Sequence, residues 1–154
     1  GKGSAFFISL PFIPVEKGFS RIYGDDFATD VPSLETKTIL VAEDVAVNFQ
    51  FLKATLDKTN ATVVWAKNGK EAVEMALAIP HPDLILMDLK MPLMNGYEAT
   101  RLIKAQLPNI PIVAQTAYSL DGDRQKSIEA GCDEHIAKPI QTQELYKILS
   151  ALLA

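Results

Sequence analysis

From Lys37 onward, short apolar runs alternate with amphipathic stretches. Residues 38–42 (TILVA), 62–66 (TVVWA), 84–87 (LILM), 110–114 (IPIVA) and 134–137 (EHIA) have the length and content of buried strands. Four of these runs are too apolar to leave one face in water, which favours a parallel sheet covered on both sides. Helix patterns lie between them. Ala72, Met75, Ala76 and Ile79 recur at i, i+3, i+4 and i+7 and predict one core-facing stripe. Asn68 is placed to cap that helix, with Glu71 in its first turn, and Pro80 and Pro82 are placed to stop it. Leu145, Ile148, Leu149 and Leu152 form a second stripe in the last helix, and residues 48–56, 97–107 and 121–130 are helical with less regular spacing. Five β-α repeats predict right-handed crossovers and a three-layer, doubly wound α/β sandwich.

In such a sheet, ligands bind beyond the carboxyl ends of the strands. The first run ends in Glu43-Asp44, the third in Asp88, the fourth in Gln115-Thr116 and the fifth in Lys138-Pro139. A parallel sheet therefore gathers three carboxylates, a hydroxyl and an ammonium on one rim. Carboxylates about 4 Å apart repel by roughly 4 kcal/mol per pair at an effective dielectric near 20. Such a group must take up protons or a cation, and oxygen ligands that leave room for waters and a phosphate suit Mg²⁺. Lys138 adds a second positive charge. These are the groups that phosphoryl transfer needs, where catalysis is mostly positioning and charge stabilisation. A carboxylate can itself be the nucleophile, and Asp88 ends the most apolar run, so it should be central. An isolated acid at a strand end reads as well as a cap or loop residue. Five such positions converging do not.

Composition narrows the class. A chain of 154 residues holds one ordinary domain and some extra length. Hydrophobic and charged fractions of 48% and 22% indicate a soluble globular protein rather than a disordered one. A net charge of −4 argues against non-specific nucleic-acid binding. The single Cys132 excludes an internal disulfide framework and fits a reducing cytoplasm. No run approaches the roughly 18 apolar residues of a membrane span, so no membrane contact is expected, although a longer parent could be anchored. Five of the seven Phe residues lie in the first 27 positions, and the stretch 29–36 is mostly polar and reads as a linker.

Four segments resemble the receiver domains of two-component signalling: 39–44 (ILVAED), 82–96 (PDLILMDLKMPLMNG), 113–117 (VAQTA) and 130–140 (AGCDEHIAKPI). The likeness runs from about Lys37 to Ala154. It implies a flavodoxin-like fold, with a five-stranded parallel sheet in the order 2-1-3-4-5 flanked by five helices. It also implies that Asp88 accepts the phosphoryl group and that Mg²⁺ sits among Glu43, Asp44, Asp88 and the backbone carbonyl of Lys90, with Glu43 acting through water. Thr116 would bind a phosphoryl oxygen and move with it, Lys138 would pair with the phosphate, and Lys138-Pro139 would be cis. Lys90 and Tyr118 would border the phosphoryl group. One position departs from the family: His135 stands where Tyr or Phe usually partners the Thr, either as a polar switch residue or as a variant without a coupled rotamer.

The implied partners are the dimerisation and phosphodonor domain of a histidine kinase and a histidine phosphotransfer protein. An alternative is a module that docks on its own kinase and regulates it without onward transfer. A Mg²⁺ phosphatase of similar logic fits less well, because Lys90 stands where those enzymes usually carry a second acid. Residues 1–12 resemble the last hairpin of a histidine-kinase ATP-binding domain, which implies a hybrid histidine kinase, with 13–36 as linker and 37–154 as receiver. The glycines at the start lack phosphate-loop spacing. No nucleotide-binding box or phosphodonor histidine is recognisable: His81 lies in a Pro-flanked turn and His135 on a strand. Self-catalysed phosphorylation and dephosphorylation are thus the only chemistry expected of this stretch. The apolar segment 5–12 is expected to pack on the receiver or on a second copy.

Overall fold

All five residues of the Leu84–Asp88 run are buried, so this strand lies at the centre of the sheet and its neighbours are arranged around it. The computed structural model describes residues 31–117 and 121–153, with only the backbone of 121–123. The expectations for residues 1–12, for most of the linker and for Tyr118 fall outside the described residues. The elements are β1 (Thr38–Ala42), α1 (Ala46–Leu56), a 3-10 turn (Asp57–Thr59), β2 (Thr62–Ala66), α2 (Gly69–Leu77), β3 (Leu84–Asp88), α3 (Gly96–Gln106), β4 (Ile112–Ala117), α4 (Asp121–Ala130), β5 (Glu134–Lys138) and α5 (Thr142–Leu153). The strands are all parallel, as the apolar runs predict, and are ordered β2-β1-β3-β4-β5, as the receiver resemblance implies.

Strand side chains alternate between the two faces, so a run that is apolar throughout feeds two cores. Ile39, Val41, Leu86, Val113 and Ile136 meet Leu52 and Leu56 of α1 and Leu145 and Leu149 of α5 on one face. Leu40, Ile85, Met87 and Ile112 meet Ala72 and Ala76 of α2 and Ala99 and Ile103 of α3 on the other. Each fully buried Leu or Ile contributes about 1.5–3 kcal/mol relative to exposure. Asn68 caps α2 as expected, its Oδ1 accepting from the Glu71 N–H at 2.9 Å. The same device starts α3, where Asn95 Oδ1 accepts from the Glu98 N–H at 2.9 Å.

Three expectations are corrected. β2 lies at the sheet edge: Thr62 is exposed and Val63, Val64 and Trp65 are only half-buried, so its apolar run does not mean cover on both faces. The stripe on α2 is narrower than its periodicity suggests. Ala72 and Ala76 are fully buried, whereas Met75 is 36% exposed and Ile79 is 87% exposed. The helix ends at Leu77, and Ala78 turns extended ahead of the cis Ile79-Pro80 bond, which carries Ile79 away from the stripe. The residue before a proline is disfavoured in helical geometry, consistent with this early exit. β4 begins at Ile112 and runs through Ala117, so Gln115 and Thr116 lie within the strand instead of after it. Pro111 has no N–H to donate to a ladder, and the Ile112 N–H is taken by Asp133 Oδ2 at 2.7 Å. The cis Lys138-Pro139 bond is present as expected. Among the described residues, no helix is long and apolar enough to cross a membrane.

Candidate acidic site on the carboxyl rim

Register assembles the site. Ala42 pairs with Met87, so Glu43 and Asp88 leave adjacent strands at one level. One oxygen each of Glu43, Asp44 and Asp88 lies within 4.8 Å of the others. Glu43 is fully buried and Asp88 is 8% exposed, while Asp44 faces solvent. Lys138 reaches across from β5, and its Nζ donates to Asp88 Oδ2 at 2.6 Å and to Glu43 Oε2 at 2.7 Å. The Lys90 N–H donates to Asp88 Oδ1 at 2.9 Å, so each oxygen of Asp88 has a donor. Glu43 Oε1 accepts from Asn48 Nδ2 at 2.9 Å and from the Val45 N–H at 3.2 Å.

The Asp88 loop is fixed from below. Gly96 donates its N–H to the Leu89 carbonyl at 3.1 Å, and a Cβ at Gly96 would overlap the Asp88 carbonyl oxygen. Only glycine lets α3 start this close to the acid. Within the same loop, Leu93 adopts φ 66, a left-handed conformation that is unfavourable for a branched residue. On the other side of the rim, Trp65 Nε1 donates to the Glu43 carbonyl at 2.7 Å, and its ring stacks on Phe49 with centroids 4.3 Å apart. The backbone that presents Glu43 is therefore held by an aromatic pair.

Burial alone would lower the Lys138 pKa. Its bonds to Asp88 and Glu43, and their charges, outweigh that and hold it above the usual lysine value. One ammonium faces three carboxylates, so the fully ionised cluster keeps two negative charges in excess. Three hard oxygen donors around an incompletely neutralised site fit a small divalent cation. The exposed carboxylate of Asp44 leaves that site open to solvent. The donor set thus suits a metal ion and, beside it, an anionic oxygen group.

The sequence-predicted residues do not all join this cluster. Glu43, Asp44, Asp88 and Lys138 converge, and Lys90 joins through its N–H. Thr116 reaches the rim, but its hydroxyl donates a long 3.5 Å bond to the Ile136 carbonyl. His135 pairs in register with Ala114, and Thr116 with Ala137, so the two side chains share a sheet face two positions apart. The half-buried His135 lies beside its own neighbour, Nδ1 3.1 Å from Glu134 Oε1. His81 Nδ1 lies 2.9 Å from the Ala76 carbonyl at the end of α2, a structural placement. Burial pushes the Cys132 thiol up, and its Sγ lies 3.7 Å from Thr100 Oγ1. Sequence reasoning missed two residues. Asn48 orients Glu43, and nothing in the spacing marks it. Gln115 is a polar residue inside an apolar run, which is a visible signal of an unusual core position.

A family model for the response regulator receiver domain matches residues 39–150. The chain is 37% identical over 120 residues to hybrid signal transduction histidine kinase I of Dictyostelium discoideum, covering 73% of this chain and 7% of that kinase, whose remaining length has no counterpart here. It is 31% identical over 120 residues to the polar-differentiation response regulator DivK of Brucella ovis, covering 77% of this chain and 97% of DivK. Among solved structures, it is similar to the receiver domain of the sensor histidine kinase PA1611 of Pseudomonas aeruginosa, which has a magnesium ion coordinated in its active site cleft. That match has a TM-score of 0.71 and 38% identity, over 76% of this chain and 97% of the other. The receiver domain of Ssk1, crystallised with the histidine phosphotransfer protein Ypd1 from Saccharomyces cerevisiae, matches at a TM-score of 0.71 and 28% identity over 79% and 90% of the two chains. By fold, by rim chemistry and by these likenesses, the chain belongs to the response-regulator receiver family of two-component signalling.

Proposed function

We propose that Asp88 accepts a phosphoryl group from a phosphohistidine of a histidine kinase and passes it to the imidazole of a histidine phosphotransfer protein. The domain would then be the relay element of a hybrid kinase working in the cytoplasm. The observation that carries this reading is Lys138 bridging Asp88 and Glu43 at 2.6 and 2.7 Å, beside the open carboxylate of Asp44. An oxygen lone pair of Asp88 attacks phosphorus, the P–N bond breaks, and the leaving imidazole keeps that electron pair. Lys138, already poised between two acids, turns to the new phosphoryl oxygens. Thr116 gives up only a weak bond to Ile136 to reach one of them. Glu43, Asp44, Asp88 and the Lys90 carbonyl would hold Mg²⁺, which when bound neutralises charge on the transferring oxygens. His135, on the face it shares with Thr116, is then the residue positioned to respond to that movement.

The partner must bring its histidine to this rim. Val45, Val47 and Phe51 of the β1–α1 loop and α1 are exposed apolar side chains close to Glu43 in the chain, a surface suited to the apolar face of a helical partner. Trp65 gives a direct test, because it bonds the Glu43 backbone. Its fluorescence should respond saturably to Mg²⁺, and again to beryllofluoride once Mg²⁺ is present. In Asp88→Asn the second response should vanish. A folded protein that shows neither response would contradict the proposal.

A further inference from the structure

We infer that the turn between β2 and α2 is a bracket that sets the geometry of the acidic site, with Gly69 as its positioning residue. In the sheet, β1 separates β2 from β3, so no strand pairing brings this turn to the Asp88 loop. It reaches that loop nonetheless. The Gly69 N–H donates to the Met94 carbonyl at 3.1 Å, and a Cβ at Gly69 would overlap the same oxygen. The end of β2 holds the other half of the site. The Ala66 carbonyl accepts from the Glu43 N–H at 3.0 Å, and Trp65 Nε1 donates to the Glu43 carbonyl. Residues 65–69 thus touch both halves of the cluster: Glu43, just after β1, and the loop that follows Asp88.

The loop needs such a hold. The Met94 N–H donates to the Pro92 carbonyl at 2.8 Å around Leu93, whose φ is 66. This is the positive-φ form of the three-residue turn, which is rare and strained. Strain of this kind persists only where the surroundings over-determine it. Leu93 is 88% exposed, so packing of its own side chain does not supply the restraint. Two glycines do, through backbone contacts: Gly96 fixes the root of the loop at Leu89, and Gly69 fixes its exit at Met94. Lys90 lies between these anchors, with its N–H bonded to Asp88. Gly69 is itself firmly placed. Asn68 Nδ2 donates to Glu71 Oε1 at 2.8 Å and the Lys67 N–H to Glu71 Oε2 at 2.9 Å, which closes the first turn of α2. Moving Gly69 therefore moves Lys90 relative to Glu43, and loss of a group that orients metal ligands costs roughly 10–100-fold in affinity. The metal part of the inference rests on the proposed Mg²⁺ ligands Glu43, Asp44, Asp88 and the Lys90 carbonyl; the hold on the loop does not.

Gly69→Ala in the whole chain is the test, read by ¹⁵N–¹H correlation spectra and amide hydrogen exchange. Without metal, the Lys90 amide signal should shift, and its exchange should accelerate more than that of the core amide of Leu86. Mg²⁺ affinity, followed at the Asp44 amide, should fall roughly 10-fold. Lys70→Ala, at the next residue along and with an exposed side chain, should change neither readout. Asn68→Ala loosens the turn without adding a Cβ and should move both in the same direction as Gly69→Ala. It carries the test if the Gly69 variant does not fold. A folded variant that keeps either the wild-type Lys90 signal or the wild-type Mg²⁺ affinity would overturn the inference. So would uniform acceleration of all amides with no particular change at Lys90, the result a merely structural glycine would give. A wild type that binds no Mg²⁺ would contradict the proposed function instead, and the metal-free Lys90 signal would then decide by itself whether the turn holds the loop.

Discussion

Lys138 is the residue on which the electrostatics of the rim turn. Its folded pKa lies above its ordinary value because the two acids outweigh the effect of its burial. A raised lysine pKa contributes stability that is fully present below the unfolded value, about 10.4, and is lost as pH rises through the folded value. Urea melts of wild type minus Lys138→Met should therefore show a difference that is constant near neutrality and shrinks above about pH 10.4. Because the lysine is partly exposed, with 24% of its side chain accessible, the neutral-pH loss should be about 1–3 kcal/mol, below the value for a fully buried pair. Asn48→Ala, which removes one donor from Glu43 Oε1, should cost about 1 kcal/mol and weaken Mg²⁺ affinity measured by Trp65 fluorescence. At this scale the acids and the lysine were legible because a parallel sheet forces its strand ends together. Asn48 was not, since its role depends on how the first turn of α1 faces back to Glu43. Thr116 and His135 lie on the paired strands β4 and β5, but periodicity says nothing about their rotamers. Their side chains lie against Ile136 and Glu134 and not at the cluster.

For the elements, continuous apolar runs were a sound guide to the sheet because each strand feeds two cores. The exception, β2, shows the limit: an edge strand can be as apolar as a central one where Trp65 and Phe49 stack to cover it. The fully buried Leu86 of β3 tests the central placement. Leu86→Ala should lose about 2–5 kcal/mol in chemical denaturation. Ile79→Ala, a change within the predicted α2 stripe, should stay within about 0.5 kcal/mol of wild type, since its side chain is exposed beyond the helix end. A large loss at Ile79 would restore the longer stripe. The spacing alone could not show this, because it counts apolar positions and is blind to the extended turn at Ala78.

For the whole molecule, the order β2-β1-β3-β4-β5 puts β1 and β3 side by side at the centre, and this adjacency makes Glu43, Asp44 and Asp88 one charge cluster. Topology thus converts two distant sequence segments into a site, and β5 then delivers Lys138 to it across β4. The central claim is that this cluster makes Asp88 a phosphoryl acceptor. Intact-mass spectrometry of wild type and Asp88→Asn after incubation with acetyl phosphate and Mg²⁺, followed by peptide mapping, tests it most directly. The expected result is one added phosphoryl group on the wild type, located at Asp88, requiring Mg²⁺ and absent from the variant. A folded wild type that gains no phosphoryl group, or an Asp88→Asn chain that gains one at the same rate, would contradict the account.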